Sequence, residues 1–306
     1  MSFDEFLTAT RQEGLLRIKR NSSPTNPLPE AFYNRLVEAF RSYMLVGGMP
    51  EAVATYTETG SYRYSSDIVN EIIQGYQDDF AKYGAKANPL LLRQTLISVA
   101  HQAGAKFVCS RVEGQYRSAE VKVALEMLKD AGLIIPTYHT DANGVPLGAE
   151  INERVVKYLI HDTGVLLGIL GIDDDIDERI KEMMVADSID LVDKGHVAEM
   201  MAGLELIKYS SPQTRHQLYY WQNMNKGTCA EVDYVIARSG SIVPIEVKSG
   251  VKGSMSSMYS LMRNLQKHIE MGIRCSLENF GTFASPDGKK IDIIPLYAIS
   301  NLFAEK

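Results

Sequence analysis

The sequence is poor in cysteine and tryptophan and has no long uninterrupted apolar run. Three cysteines and one tryptophan occur among 306 residues. Because the cysteines are few, odd in number and widely spaced, they exclude a disulfide framework and a zinc site. No apolar run approaches the about 20 residues of a membrane-spanning helix, and the first residues lack the basic and apolar regions of a signal peptide. We therefore expect a cytoplasmic protein with no membrane partner.

A second absence concerns nucleotides and hydrolase triads. The pattern G-x-x-x-x-G-K-[ST], in which backbone amides and a lysine hold the phosphates of ATP, does not occur. The six histidines show no metal-ligand spacing, and no serine lies in a G-x-S-x-G turn. These residues are therefore expected to contain neither an ATP site nor a serine-hydrolase triad.

Charge is present in ordinary amount but unevenly placed. The chain is 45% hydrophobic and 23% charged, with a net charge of −6. Residues 1–194 hold 20 basic and 28 acidic residues, whereas residues 195–306 hold 12 and 10. Nine of the acids lie in 173–193, which predicts an acidic linker that is solvated or faces a protein partner.

The most informative stretch is 230–250, AEVDYVIARSGSIVPIEVKSG. Its β-branched and aromatic residues predict two strands, and R-S-G between them supplies turn residues. Since residues two apart share one face of a strand, Glu231 and Asp233 point the same way. Glu246 and Lys248 share a face for the same reason. A hairpin would therefore bring three carboxylates and an ammonium group to one patch of the sheet.

An aspartate followed on the next strand by Glu-x-Lys matches the core of the PD-(D/E)XK nuclease signature. Two carboxylates suit Mg²⁺ or Mn²⁺, which polarises a phosphodiester and lowers the pKa of a bound water. A lysine beside them steadies the developing charge. We predict Asp233 and Glu246 as metal ligands and as catalytic residues, together with Lys248. Without a cation, one of the two carboxyl groups is expected to have a raised pKa.

Further carboxylates are predicted around this pair. A helix over 194–209 precedes the strands, and the resemblance to the PD-(D/E)XK signature implies that this helix supplies one more ligand. Glu199 is the best match and Glu205 the second, although a helical glutamate exposed to solvent is the alternative for both. Glu231 is expected to tune the metal site from the same strand face.

The N-terminal part reads as helices and the middle as a helical pair with a hairpin. Apolar residues recur at helical spacing over 1–87, which prolines and the G-G-M-P turn interrupt. In 88–172 we predict four features: a helix from Asn88 to 102, a helix over 119–130 between Ser118 and Gly132, a strand from 133 with its tip at 141–144, and a returning strand over 155–160. Two helices followed by a two-stranded wing is the order of a winged helix.

The second of these helices carries basic residues that could contact nucleic acid. Arg117 and Lys122 lie on or near it, but Glu113, Glu120 and Glu126 lie among them. The mixed charge leaves two interpretations open, a DNA-reading helix and a protein-packing helix.

The C-terminal third predicts an α+β fold. The helix over 194–209 is followed by a strand at 218–221, the two strands of the motif, a helix over 255–271 and a strand at 291–296. This is the αβββαβ order of the restriction-endonuclease-like core.

Seven stretches of the chain resemble one known family. In order they are SFDEFL (2–7), YMLVGGMPEAV (43–53), LKDAGLI (128–134), VVKYLIHDTGVLLGIL (155–170), LYYW (218–221), EVDYVI (231–236) and PIEVKSG (244–250). They resemble the C-terminal part of prokaryotic AAA-type ATPases that end in a domain of unknown function. The resemblance implies a helical lid-like region over 1–87, a winged helix over 88–172 and a nuclease-like domain over 194–306. That family carries its ATP-binding core upstream, so we expect part of a longer gene product, with a naturally short version as the alternative.

Two functions follow as expectations. The first is a metal-dependent nuclease-like domain that acts on or binds DNA or RNA. The second is a non-catalytic regulatory or scaffold module, which binds DNA or a protein partner through the winged helix or the acidic surface.

Overall fold

The computed structural model describes residues 1–82, 88–171, 194–210, 217–223, 230–250, 253–264 and 267–303. Helices and two mixed sheets, of four and five strands, make up this part of the chain. The predicted α+β class is therefore confirmed. The predicted acidic linker, 173–193, lies outside the described residues. Across the described ranges, no helix has the length and apolar character needed to cross a membrane.

The helices follow the predicted pattern closely. They are α1 (Phe3–Ala9), α2 (Glu13–Arg20), α3 (Glu30–Val46), α4 (Pro50–Thr59), α5 (Tyr62–Lys82), α6 (Pro89–His101), α7 (Ser118–Asp130), α8 (Thr163–Ile169), α9 (Lys194–Lys208) and α10 (Ser256–Arg263). The side chain of Asn88 accepts the Leu90 N–H and caps α6, as predicted. The cap of α7 is Arg117 rather than the predicted Ser118.

The strands form two separate sheets. They are β1 (Ile134–Thr140), β2 (Ile151–Ile160), β3 (Leu218–Gln222), β4 (Glu231–Val232), β5 (Tyr234–Arg238), β6 (Ser241–Val247), β7 (Met271–Ser276), β8 (Gly281–Ala284) and β9 (Lys290–Pro295). The four-stranded sheet has the order β2-β1-β3-β4, and the five-stranded sheet has the order β5-β6-β7-β9-β8. β1 and β3 run parallel, with His139 opposite Tyr220. Because these two residues are far apart in the sequence, tertiary structure sets this pairing.

The chain divides into two compact units. Unit 1 comprises Met1–Gln12, Glu38–Pro136 and Lys157–Met200, and unit 2 comprises Glu13–Val37, Thr137–Val156 and Met201–Lys306. These units group the residues differently from the four predicted ranges. Residues 137–156, which belong to the predicted winged helix, fall in unit 2 because β1 pairs with β3.

Two of the stretches that resemble the known family, 43–53 and 155–170, contact each other in unit 1 through Asp162. Asp162 caps α8 by accepting the Val165 N–H at 3.2 Å, and its second carboxylate oxygen accepts the Gly48 N–H at 2.6 Å. Gly47 has a φ of +77°, and a Cβ there would overlap Asp162 Oδ1. Glycine is therefore required beside this aspartate, which joins the G-G turn to the start of α8.

Unit 2 has a core that includes the tip of the predicted wing. Ala142, at the tip, is fully buried and packs in a cluster with Trp221, Val235 and the α10 residue Met258. The buried ammonium of Lys267 donates to the backbone oxygen of Asp141 and, at 2.7 Å, to Asn143 Oδ1. The tip is therefore held within this unit by apolar packing and by a buried cation.

The five-stranded sheet differs from its prediction in one place. The helix predicted over 255–271 is correct for Ser256–Arg263, but β7 begins at Met271. β7 lies between β6 and β9 and is buried along nearly its whole length, yet it contains Gly272 and Arg274. A central strand lacks the alternation of exposed and buried residues by which a strand is recognised, so the pattern misled the prediction.

Candidate functional site

The predicted hairpin is present. β5 and β6 pair antiparallel, with Tyr234 opposite Ile245 and Arg238 opposite Ser241. Ser239 and Gly240 form the turn with φ values of 49° and 78°. Two consecutive positive φ angles are typical of the tight turn that matches the twist of a hairpin, so the R-S-G signal is confirmed.

Asp233 lies where the chain passes from one sheet to the other. The residues before it form β4, which pairs with β3, and the residues after it form β5, which pairs with β6. The strand predicted as continuous is therefore split at the aspartate. Its Oδ2 accepts the backbone N–H of Val247 at 2.7 Å, and this bond fixes the carboxylate beside the end of β6.

Glu246 is a buried carboxylate whose two oxygens have different surroundings. The residue is 5% exposed. Its Oε1 accepts a hydrogen bond from Lys248 Nζ at 2.7 Å. Its Oε2 is buried and has no hydrogen-bond partner among the described residues. Buried polar atoms without a partner are rare in folded proteins, so this oxygen marks a place that a donor or a cation would complete.

The charged groups of the predicted cluster act on the pKa of Glu246. Burial, and then the charge of Asp233, raises the pKa of Glu246 from 4.5 to about 7, while Lys248 opposes the change and Glu231 adds to it. The expected raised pKa in the carboxylate pair is thus confirmed, although burial is its largest cause. The structure brings Asp233, Lys248 and Glu231 within electrostatic reach of Glu246.

Lys248 is held against the chain but reaches solvent. Its side chain is 21% exposed, compared with 6% for Glu246. Its backbone N–H donates to the Cys275 oxygen at 2.8 Å. A Cβ at Gly253 would lie 2.7 Å from Lys248 Cδ, so a glycine there gives the lysine side chain its path. A partly exposed lysine side chain therefore donates to a buried carboxylate.

Sequence reasoning missed Arg274, because it missed β7. Arg274 is the β7 residue paired with Glu246. In its guanidinium, Nε donates to Glu278 Oε2 at 2.7 Å and Nη2 donates to the Gly250 oxygen at 3.0 Å. Arg274 therefore anchors the segment that follows Lys248. The neighbouring thiol of Cys275 is buried, which raises its pKa to about 12, so it is no nucleophile.

Glu199 lies in unit 1, in an ion pair of its own. Lys157 Nζ donates to Glu199 Oε1 at 2.8 Å, and the two side chains are 2% and 9% exposed. The second candidate, Glu205, accepts from Lys208 Nζ at 3.5 Å. Because both glutamates are buried, the alternative prediction of an exposed helical glutamate is wrong for each. Their role as metal ligands stays a prediction.

Arg117, the cap of α7, and Lys122, on α7 itself, are both exposed. The Arg117 backbone N–H donates to Glu120 Oε2 at 2.7 Å, so a carboxylate lies beside it at the start of the helix. Lys129 pairs with Glu126 one turn before the helix ends. The exposed face thus carries both signs of charge, as the sequence predicts.

Among the described residues, no group of three or more histidine, cysteine, aspartate or glutamate side chains is close enough to hold a metal ion. The strand pair, which is the strand split into β4 and β5 together with β6, offers the carboxylates of Asp233 and Glu246. The charge of Glu231 acts on Glu246.

Two family models match the chain. Residues 37–176 match the model described as "Domain of unknown function (DUF8612)", and residues 194–299 match the model described as "Domain of unknown function (DUF4143)". No match was found among curated proteins or among solved structures. The strand pair lies within the second matched range and α7 within the first. The chain is therefore similar, over these two ranges, to two domains of unknown function.

Proposed function

We propose that the C-terminal domain is a metal-dependent phosphodiesterase-like domain of the nuclease type, which acts on DNA or RNA in the cytoplasm. The observation that carries the proposal is Glu246. Its buried Oε2 has no hydrogen-bond partner among the described residues, while Asp233 and Lys248 act on the same carboxylate. A charged group kept in this environment is costly unless a cation compensates it.

The residues present fit a hard divalent cation. Carboxylate oxygens are the ligands that Mg²⁺ and Mn²⁺ prefer, and Mg²⁺ commonly uses one or two carboxylates and keeps its waters. Asp233 and Glu246 would hold the ion. Glu199 is held in its 2.8 Å ion pair with Lys157, so the proposal rests on the strand pair alone.

Lys248 and Asp233 have different roles beside the metal ion in the proposed reaction. A bound Mg²⁺ or Mn²⁺ would polarise a phosphodiester and lower the pKa of water. The hydrogen bond from Lys248 favours the ionised form of Glu246, which a ligand must adopt. The Lys248 side chain is partly exposed, so we expect its ammonium group to attract a phosphate from solvent and to stabilise charge that develops during cleavage. The Val247 N–H orients Asp233.

The order of elements supports the same proposal. α9, β3, the split strand β4 and β5, β6, α10 and β7 follow one another as αβββαβ. β6 pairs antiparallel with β5 and parallel with β7. Together with the resemblance of the matched stretches, this order is consistent with the C-terminal part of an AAA-type ATPase family protein. The winged helix proposed for 88–172 rests on the resemblance and on the sequence order of α6, α7, β1 and β2.

A second candidate is a non-catalytic regulatory or scaffold module. It is favoured by the hairpin tip, since Ala142 is fully buried and Lys267 holds its neighbours. A wing that enters a groove of DNA needs an exposed tip. The mixed charge of α7 likewise suits a protein partner. In this case the strand pair would be a remnant without cleavage activity.

The experiment compares four variants of the chain with wild type. Asp233→Asn keeps an acceptor for the Val247 N–H but removes a charge. Lys248→Ala removes the ammonium group. Lys290→Ala is the matched control, because Lys290 also pairs with a carboxylate two residues away, Asp292, at 2.9 Å, but its side chain is 56% exposed. Glu246→Gln completes the set.

Two readouts are measured for each variant, the melting temperature with and without millimolar Mn²⁺, and cleavage of single- and double-stranded DNA and RNA with Mg²⁺ or Mn²⁺. Wild type and Lys290→Ala should gain melting temperature and cleave, because a cation that binds only the folded state stabilises it. Asp233→Asn and Glu246→Gln should gain little, and Lys248→Ala should keep the gain but lose cleavage. A wild type with neither a metal effect nor cleavage would leave the non-catalytic candidate.

A further inference from the structure

The four-stranded sheet, like the strand pair, contains buried polar atoms that have no hydrogen-bond partner among the described residues. Thr137 Oγ1 and His139 Nδ1 on β1, and Gln222 Oε1 on β3, are all buried with no hydrogen-bond partner among the described residues. Thr137 pairs with Leu218 and His139 with Tyr220. Because paired residues share a face and the face repeats every second residue, these side chains lie on one side of the sheet.

His139 fixes the position of Gln222. Its Nε2 lies 3.1 Å from the backbone oxygen of Gln222. A carbonyl oxygen only accepts, so Nε2 carries the hydrogen and donates it. The imidazole ring also meets the ring of Tyr220 edge-on, with their centres 5.6 Å apart. The end of β3, where Gln222 lies, is therefore held by a part-buried hydrogen bond from the neighbouring strand.

Gln222 connects this face with the carboxylates. It pairs directly with Glu231 on β4, and directly opposite residues of two antiparallel strands have their Cβ atoms about 5 Å apart. The charge of Glu231 in turn reaches Glu246. Glu231 therefore pairs with Gln222 and acts on Glu246. Gln222 Oε1 and Glu246 Oε2 are both buried oxygens with no hydrogen-bond donor in the described part of the chain.

We propose that Gln222 is a further residue of the divalent-cation site, where its amide oxygen serves as a neutral oxygen ligand directly or through a water molecule. The inference rests on the proposed function, because it assumes that Asp233 and Glu246 hold the ion. A neutral amide oxygen is a common ligand for hard cations. It adds an oxygen without adding a fourth negative charge to Asp233, Glu246 and Glu231. His139 is then a positioning residue that acts through the backbone of Gln222.

The test measures Mn²⁺ binding by calorimetry and the melting temperature without metal, on the full chain. In Gln222→Met the amide is lost at similar volume, and Mn²⁺ affinity should fall by about tenfold or more, as for other residues around metal ligands. In Gln222→Glu a carboxylate stands opposite Glu231. This variant should melt at a lower temperature without metal and bind Mn²⁺ more tightly than wild type.

Thr137→Val is the matched control. It removes another buried oxygen without a partner on the same face, near the other end of β3. Its Mn²⁺ affinity should equal that of wild type. If Gln222→Met instead melts at a lower temperature and binds Mn²⁺ as wild type does, the amide has a structural partner and the inference is wrong.

The outcomes separate this inference from the proposed function. Mn²⁺ binding that Asp233→Asn abolishes and that Gln222→Met and Gln222→Glu leave unchanged would retain the proposed metal site and remove Gln222 from it. A wild-type chain that binds no Mn²⁺ would remove both.

Discussion

The two compact units each contain a buried Glu–Lys pair, and the pairs differ in how completely they are satisfied. In unit 1, Lys157 and Glu199 join at 2.8 Å, with side chains 2% and 9% exposed. In unit 2, Lys248 and Glu246 join at 2.7 Å, but the lysine is 21% exposed. Only the second pair has a buried carboxylate oxygen with no partner in the described part of the chain. Similar chemistry thus supports the fold in one unit and remains open to a ligand in the other.

The largest expected difference between the two pairs is in the free energy of unfolding that is lost when each lysine is replaced. Lys157→Met leaves Glu199 charged and buried, and removing one partner of a buried pair should cost about 3 to 5 kcal/mol of the free energy of unfolding. Lys248→Met should cost roughly 1 kcal/mol, the net value of a hydrogen bond. The smaller loss follows because Glu246, with its raised pKa, takes up a proton near neutral pH. Urea unfolding at pH 7 measures both.

Lys290→Met is the control for these variants. Its lysine forms an exposed pair with Asp292, and such pairs contribute about 0 to 1 kcal/mol. Equal losses in Lys157→Met and Lys248→Met would show that the two buried pairs have the same role, and the comparison would fail.

The pH dependence of stability sharpens the comparison next. The pKa of Glu246 rises from 4.5 to about 7 on folding, so between these values the folded state binds more protons than the unfolded state. Its contribution is fully present below pH 4.5 and is lost as the pH rises through 7. At 1.36 kcal/mol for each unit of pKa, the loss is about 3 kcal/mol.

Urea unfolding of wild type and Glu246→Gln at a series of pH values from 4.5 to 8 tests this dependence. The variant cannot titrate at this position, so its stability should fall less over the range. Parallel curves for the two proteins would contradict the raised pKa, whereas Mn²⁺ should flatten the wild-type curve because a cation favours the ionised carboxylate.

A smaller effect is expected at the surface of unit 1. Arg117→Ala with Lys122→Ala should change the free energy of unfolding by less than about 0.5 kcal/mol, because both residues are exposed. If α7 contacts DNA, the dependence of affinity on salt should weaken by about one ion for each residue. Fluorescence anisotropy at several salt concentrations measures the slope.

The control for that pair is Arg63→Ala with Lys290→Ala, two exposed basic residues outside the predicted winged helix. An equal loss of DNA affinity in both double variants would mean attraction to overall charge rather than to α7. No DNA binding at low salt would favour the protein-packing interpretation of this helix.

The smallest expected effect is that of MgATP on these residues. Because the sequence contains no phosphate-binding loop with its lysine, calorimetry should give the same heat for MgATP as for Mg²⁺ alone. Micromolar MgATP binding beyond that control would show a site that neither Glu–Lys pair explains.

Local patterns in the sequence were enough to predict the helices and the hairpin of the strand pair. Apolar spacing, Asn88 before Pro89 and the turn residues at 239–240 act over a few residues, and the structure has α6 and the β5–β6 hairpin at those places. The convergence of Asp233, Glu246 and Lys248 followed from the same local rule, since alternation along two paired strands decides which side chains share a face.

Tertiary structure alone decided the features that depend on distant partners. Lys157 finds Glu199 across 42 residues, and Asp233 becomes the junction of two sheets because β4 and β5 pair with different strands. β7 is a strand only because β6 and β9 flank it. The side chains that those long-range pairings bring to a buried glutamate decide whether both of its oxygens have hydrogen-bond partners. No spacing within the sequence carries that information.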